Sequence, residues 1–303
     1  MKRLALILLL VVCTTATTMA QNDLIVSQYI HNRFAINPAF AGSREGLTLF
    51  GSFRKQWTGI EKTPMSELFT MHMPLKKENI VLGLSVYNQN IHQSMNAGVM
   101  ATVGYRTRLG ERTWLSFALQ PGASMRSTNW AKVNTIEPGD NVFLENESSI
   151  SPLLGFGVSI YNRDLFVGAS VSSFMVSDDF DQRDAKFDPA NATYIATAGY
   201  MFRLGEEFKL QPSVMASYNK KNEVTADATL TAIFNDFIWA DIAYRTTDEA
   251  IAGLAVQATP QLRIAYSYEF NFGDLNGYST GSHEISIQYD LVYKVKTVGP
   301  RFF

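Results

Sequence analysis

From residue 47 onward the chain repeats one pattern: a segment of alternating apolar and polar residues, a turn, and another such segment. In 262–270, "LRIAYSYEF", Leu262, Ile264, Tyr266, Tyr268 and Phe270 share one face. Arg263, Ala265, Ser267 and Glu269 take the other. In 284–293, "EISIQYDLVY", Ile285, Ile287, Tyr289, Leu291 and Tyr293 oppose Glu284, Ser286, Gln288 and Asp290. A period of two means extended strands with two different surroundings. Fourteen such segments fall near 47–57, 66–74, 80–88, 95–108, 113–126, 151–161, 165–174, 193–204, 208–218, 223–234, 237–245, 250–258, 262–270 and 282–295. Most run to about 9–12 residues, which suits a tilted membrane-crossing strand better than the roughly 5–6 of soluble sheets.

The connections separate two environments. Short ones ("LKKEN", "LGER", "NRD", "LGEE", "ND", "TPQ") follow every even segment. The long ones ("TGIEKTP", "NQNIHQ", 127–150, 175–192, "NFGDLNGYSTG") all follow odd segments. Outer-membrane barrels have short periplasmic turns and longer external loops, and an even strand count returns both chain ends to the periplasm. A soluble sandwich gives no reason for such segregation. Aromatic residues are expected in two interfacial belts. Trp57, Tyr87, Tyr194, Tyr218, Tyr244, Tyr268 and Phe270 would form the outer belt. Tyr105, Trp114, Tyr161, Phe166, Phe202, Phe234, Trp239 and Tyr293 would form the inner one. In "GLTLFGSFRKQW", 46–57, Leu47, Leu49, Phe53 and Trp57 are therefore expected to face lipid, with Arg54 and Gln56 toward the lumen. The expected fold is all-β: an outer-membrane antiparallel barrel of about 14 strands over 47–296.

Ahead of it, 1–20 read as a secretory signal. Lys2 and Arg3 form the basic region, Leu4 to Val12 the apolar stretch, and Thr18-Met19-Ala20 a cleavage site. The apolar stretch is too short to span a bilayer as a helix. Val12 stands where a small residue precedes a lipidated cysteine, which argues against lipidation of Cys13. Cys13 is the only cysteine, so the mature chain has no disulfide, thiol nucleophile or cysteine-built zinc site. Loss of Lys2 and Arg3 takes the formal charge from −2 to −4. That leaves no basic stripe, and nucleic acid is excluded as a partner. Residues 21–46 are expected to form a periplasmic segment outside the barrel, and 297–303 a short C-terminal tail.

The segment "QYIHNRFAINPAFAGSREG", followed by "RKQWTGIEKTP", and the closing "GSHEISIQYDL" and "GPRFF" resemble the PorP/SprF family of type IX secretion system membrane proteins. The matching residues are Asn37, Pro38, Ala39, Gly42, Gln56, Trp57, Gly59, His283, Glu284, Pro300, Arg301, Phe302 and Phe303. The resemblance implies a barrel in the outer membrane of a Gram-negative bacterium that serves secretion and gliding. It implies anchoring or escort of secreted surface proteins, with an adhesin or other type IX cargo and periplasmic ring or lipoprotein components as partners. It also implies no enzymatic activity and no cofactor. The motif residues then become candidate partner contacts.

Chemistry-bearing patterns are scarce. His31, His72, His92 and His283 lie far apart in sequence and form no triad or metal spacing. The acidic run at 177–188 lacks the Gly and closing Glu of a calcium loop. Gly155-Phe156-Gly157 lacks the third glycine and the helix of a dinucleotide loop. Arg54, Arg106, Arg203, Arg263 and Glu269 are expected in the lumen, lining a pore or pairing with one another. The alternatives to a secretion scaffold are an outer-membrane porin or hydrophobic-solute transporter and, least supported, a rim hydrolase.

Overall fold

The computed structural model describes residues 27–44, 46–75, 79–129, 147–172, 192–219, 223–273 and 276–291. The strands are β1 (Leu47–Lys55), β2 (Met65–Pro74), β3 (Ile80–Ile91), β4 (Ser94–Arg108) and β5 (Trp114–Thr128). They continue as β6 (Glu147–Tyr161), β7 (Leu165–Ser172), β8 (Thr193–Tyr200), β9 (Phe202–Arg203) and β10 (Phe208–Asn219). The last five are β11 (Glu223–Phe234), β12 (Ile238–Arg245), β13 (Glu249–Gln257), β14 (Leu262–Asn271) and β15 (Ser282–Leu291). All pair antiparallel with their neighbours, and β15 pairs β1 from Leu47↔Leu291 to Lys55↔His283. The result is a closed 14-stranded barrel with one extra short strand. Closure leaves no open edge, which a chain in lipid cannot tolerate.

The fifteenth strand has a chemical cause. Pro212 in β10 has no N–H to give, and the ladder to the preceding segment is interrupted there: Ser213 pairs with Gly199, and pairing resumes only at Leu210↔Phe202. Met201 N donates instead to Asp164 O. Pro121 interrupts the β4–β5 ladder in the same way, between Met100↔Gly122 and Val103↔Leu119.

The two faces are polarised as the alternation requires, in the inside-out sense. Phe53, Phe69, Val103, Leu119, Val214, Ile242, Leu254 and Ile287 are exposed on the outer wall. Thr70, Ser85, Thr102, Ser116, Gln120, Ser159, Ser170, Thr231, Ser267 and Ser286 are buried within. A continuous apolar skin over a polar interior is a lipid-facing surface. No helix among the described residues is long and apolar enough to cross a membrane.

Several expectations need correction. The connection after β3 is no long loop: Ile91 pairs with Ser94, and a tight turn at His92 (φ 57°) joins the strands. Trp57 does not extend β1; it sits in the following turn at φ 48°, with its N–H donated to Ser282 Oγ. Tyr87 points inward, on the same face as Val81, Ser85 and Gln89. The inner aromatic belt splits: Tyr105, Phe202 and Phe234 face outward, whereas Trp114, Tyr161, Phe166 and Trp239 face the lumen. Each lumenal ring shares the parity of a buried polar neighbour, such as Asp241 for Trp239 and Ser159 for Tyr161. The signal 1–20, Tyr293, the run 177–188 and the tail 297–303 lie outside the described residues.

The largest correction concerns the segment before β1. Residues 27–44 do not lie outside the barrel on its periplasmic side; they run through its lumen. Two 3-10 turns, Arg33–Ala35 and Pro38–Phe40, shape the segment, and Tyr29, Phe34, Ala39, Phe40 and Ala41 are almost wholly buried by the barrel wall. A barrel of this size encloses space that water or protein must fill. A segment with polar side chains and its own small apolar clusters meets both needs of a polar wall.

Candidate functional site: the plugged lumen

The lumenal segment is read most directly from its contacts, which progress along the barrel axis. Long connections define one end, the cell-surface side, and short turns the periplasmic side. Ser27 lies at the cell-surface end, where its Oγ donates to Glu269 Oε2 (2.7 Å) and its N–H to Glu284 Oε2 (3.2 Å). Gln28 Nε2 donates to Ser267 Oγ and Glu284 O. Tyr29 reaches one wall, with its hydroxyl 3.2 Å from both Ser213 and Thr229. Asn32 reaches the other, donating to Thr70 Oγ1 at 3.0 Å. His31 Nε2 lies 2.8 Å from Asp241 Oδ2, and Thr231 Oγ1 donates to the carboxylate's other oxygen. At the periplasmic end His72 Nδ1 accepts from Gly42 N, Arg106 donates to Gly42 O, and Arg44 pairs with Asp290 at 2.9 Å. The segment therefore fills the lumen from its cell-surface half to its periplasmic mouth.

The wall is shaped for this segment. Asn37 caps the second 3-10 turn by accepting from Ala39 N at 2.9 Å. Its amide N–H groups donate to Val158 O (3.1 Å) and Ala169 O (3.2 Å). Gly157 and Gly168 make room for that amide: a Cβ on Gly157 would stand 2.1 Å from Asn37 Oδ1, and one on Gly168 2.7 Å from Nδ2. A Cβ on Gly83 would stand 2.5 Å from Phe34 Cζ. Ser170 and Ser159 donate to Ile36 O and Ala39 O. Wall and plug are matched in both hydrogen bonding and volume.

Near the cell-surface end a buried charge cluster ties six strands together. Arg54 on β1 reaches Glu269 on β14 (2.8 Å) and Glu284 on β15 (3.5 Å). Arg245 on β12 reaches Asp227 on β11 (2.8 Å), Glu249 on β13 (2.8 Å) and Glu269 (3.1 Å). Two guanidinium groups thus face four carboxylates, and Ser27 supplies two of the remaining donors. Such a cluster is not in itself a source of stability, because burying each charge costs what pairing returns. It makes removal of one member expensive, and it fixes register.

The residues named from sequence fall into two groups. Asn37, Pro38, Ala39 and Gly42 are buried in the plug, where their partners are the barrel's own strands. Gln56, Trp57, Gly59, His283 and Glu284 meet at the outer end of the β1–β15 seam. There Thr58 N donates to Gly281 O and Thr280 N to Thr58 O, Gly59 (φ 101°) packs against Thr280, and Tyr266 OH lies 2.7 Å from His283 Nδ1. Pro300, Arg301, Phe302 and Phe303 lie outside the described residues. Of the arginines expected in the lumen, Arg54 is ion-paired there, whereas Arg203 ends the short strand β9, exposed and paired with Asp164. Arg106 and Arg263 have no carboxylate partner among the described residues. Sequence reading missed Arg245, Asp227 and Glu249. Their signal was parity with Asp241, Thr229 and Ile251, all on the inner face. Among the described residues no group of His, Cys, Asp and Glu has metal-binding geometry. The His31–Asp241 pair ties the plug to β12.

Comparison with known proteins agrees with this architecture. The family model described as type IX secretion system membrane protein PorP/SprF matches residues 18–289. No curated protein matches the chain significantly. The toluene transporter TodX of P. putida is similar in fold, with TM-score 0.51 and 9% identity over 85% of this chain and 93% of that one. The toluene transporter TbuX of Ralstonia pickettii gives 0.49 and 8% over 91% and 96%. The Acinetobacter baumannii outer membrane protein Omp33 gives 0.48 and 7% over 82% and 98%. At these identities the TodX likeness speaks for the barrel fold alone. With the family model spanning nearly the whole chain, this outer-membrane barrel belongs to the PorP/SprF family of type IX secretion system membrane proteins.

Proposed function

We propose that this barrel is a non-enzymatic scaffold of the type IX secretion and gliding machinery, anchoring or escorting a secreted surface protein such as an adhesin and contacting periplasmic ring or lipoprotein parts of the machine. One observation carries the reading beyond family membership: the lumen is occupied by the chain's own residues 27–44, bonded to the wall on every side. A porin or solute transporter needs a free polar path, and a filled barrel does its work through its two ends. Partner contacts then belong to the cell-surface corner formed by Gln56, Trp57, Gly59 and His283, and to the C-terminal tail with Pro300, Arg301, Phe302 and Phe303.

The test is affinity purification of the tagged protein from outer membranes in mild detergent, with mass spectrometry, for the intact chain and for one lacking residues 299–303. The intact chain should recover a secreted surface protein or a periplasmic machine component. The truncated chain should insert normally and lose the periplasmic one. Recovery of a lone barrel with high single-channel conductance would overturn the scaffold reading in favour of a transporter.

A further inference from the structure

The periplasmic mouth of the lumen has a charge pattern opposite to that of the buried cluster above it. Three arginines there sit over aromatic rings: Arg33 with Cζ 4.3 Å from the Phe166 ring centre, Arg106 4.5 Å from Trp114, and Arg263 3.9 Å from Trp239. The rings and the strand-borne arginines occupy strand ends joined by short turns: Trp114 opens β5, while Phe166, Trp239 and Arg263 are second residues of β7, β12 and β14. Arg108, the last residue of β4, adds a fourth cation 4.9 Å from Trp114. None of the four forms an ion pair among the described residues. The carboxylates around Arg263 are already engaged, Asp290 by Arg44 and Thr48, Asp241 by His31 and Thr231, and Asp236 by Lys209. Arg106 Nε and Tyr161 OH are buried without a hydrogen-bond partner.

We propose that this arginine-on-aromatic vestibule is a binding site for an acidic peptide segment of a periplasmic protein. The ring holds each guanidinium by its face; Arg106 gives one Nη to Gly42 O and Arg263 its Nε to Gln257 Oε1, and the remaining N–H groups can bond carboxylates. The vestibule faces the lumen, so lipid headgroups, which meet the outer wall, do not reach it. The chain's own C-terminal stretch after Leu291 carries Lys294, Lys296 and Arg301 and no acidic side chain, so it lacks the complementary charge. The complementary occupant is a run of Asp or Glu side chains entering from the periplasm. This proposal rests on the scaffold reading for the orientation of its partner, and adds the chemistry of one contact.

The probe is fluorescein-labelled hexaglutamate, titrated into the full-length barrel in detergent and followed by anisotropy, with tryptophan emission as a second readout because two of the stacked rings are Trp114 and Trp239. Hexaglutamate should bind and shift that emission, and hexaglutamine should do neither. Arg106→Gln with Arg263→Gln should weaken binding by about tenfold or more, as loss of close charge partners does. Arg108→Gln, at an exposed position that leaves the plug contacts intact, should weaken it less and serves if the double variant does not fold. Absence of binding, equal binding of hexaglutamine, full displacement by inorganic phosphate at equal charge, or unchanged affinity in folded variants would each overturn the proposal. A barrel that recovers its secretion partners yet ignores hexaglutamate overturns this inference alone and leaves the scaffold reading standing.

Discussion

Gly157→Ala should loosen the plug while leaving the barrel sound. Within an ordinary strand the change is neutral or favourable, because glycine weakens strand interiors. Here the new Cβ would stand 2.1 Å from Asn37 Oδ1 and 3.0 Å from Ala39 N, so the asparagine side chain has to leave. It gives up two donations to strand carbonyls and the cap on Ala39 N. At about 1 kcal/mol for each neutral bond, and a similar value for the cap, the loss is about 3 kcal/mol. That raises the population of the locally displaced plug about a hundredfold. Planar-bilayer recording reads this directly: the unmodified barrel should be nearly silent, and the variant should show frequent openings. Equal silence of a folded variant would mean the amide contacts do not hold the plug. Equal conductance of the two would mean the lumen is not plugged at all.

Other perturbations separate the remaining claims. Arg245→Met strands Asp227 and Glu249 in the wall without their cation and leaves Glu269 to Arg54 alone, and should cost about 3–5 kcal/mol, seen as a lower urea midpoint of the refolded barrel. Ile242→Arg, at an outward position 62% exposed, should cost about 2–4 kcal/mol in a bilayer near mid-depth; unfolding in lipid vesicles measures it, and a negligible cost would deny that this face meets lipid. Gly83→Val presses on Phe34, whose Cζ already lies 2.5 Å from a Cβ there, and should raise conductance as Gly157→Ala does.

The strands were legible because lipid imposes one periodicity on every one of them, and each of the fourteen segments foreseen became a strand, one with a proline-made break. What escaped was whatever depends on the lumen. The plug has no period of its own: "QYIHNRFAINPAFAG" mixes turn formers, aromatics and amides, and its burial follows from a cavity that exists only once the barrel closes. Nearness to strand ends suggests a lipid belt for Trp114, Tyr161, Phe166 and Trp239, but their parity with Ser116, Ser159, Ser170 and Asp241 turns them inward: alternation outranks position along the strand. The Arg54–Glu284 pair follows from a register between the first and last strands, which local sequence does not contain. The β3–β4 hairpin runs further than expected because Asn88, Gln89 and Asn90 look like loop residues, whereas the lumen accepts Gln89 as a buried wall residue.

The central claim is that the barrel serves secretion with its plug in place. Asn32 and Thr70 bond side chain to side chain at 3.0 Å, and Cys13 is the only native cysteine. With Asn32→Cys and Thr70→Cys, a short bis-methanethiosulfonate cross-linker would therefore lock the segment to β2 through reducible bonds. The measurement is delivery of surface proteins by cells carrying the locked barrel as their only copy, with and without a reductant. Undiminished delivery in the locked state is the result expected of a scaffold that works through its ends. Delivery that stops on locking and returns on reduction would show that the lumen must open, and would contradict it.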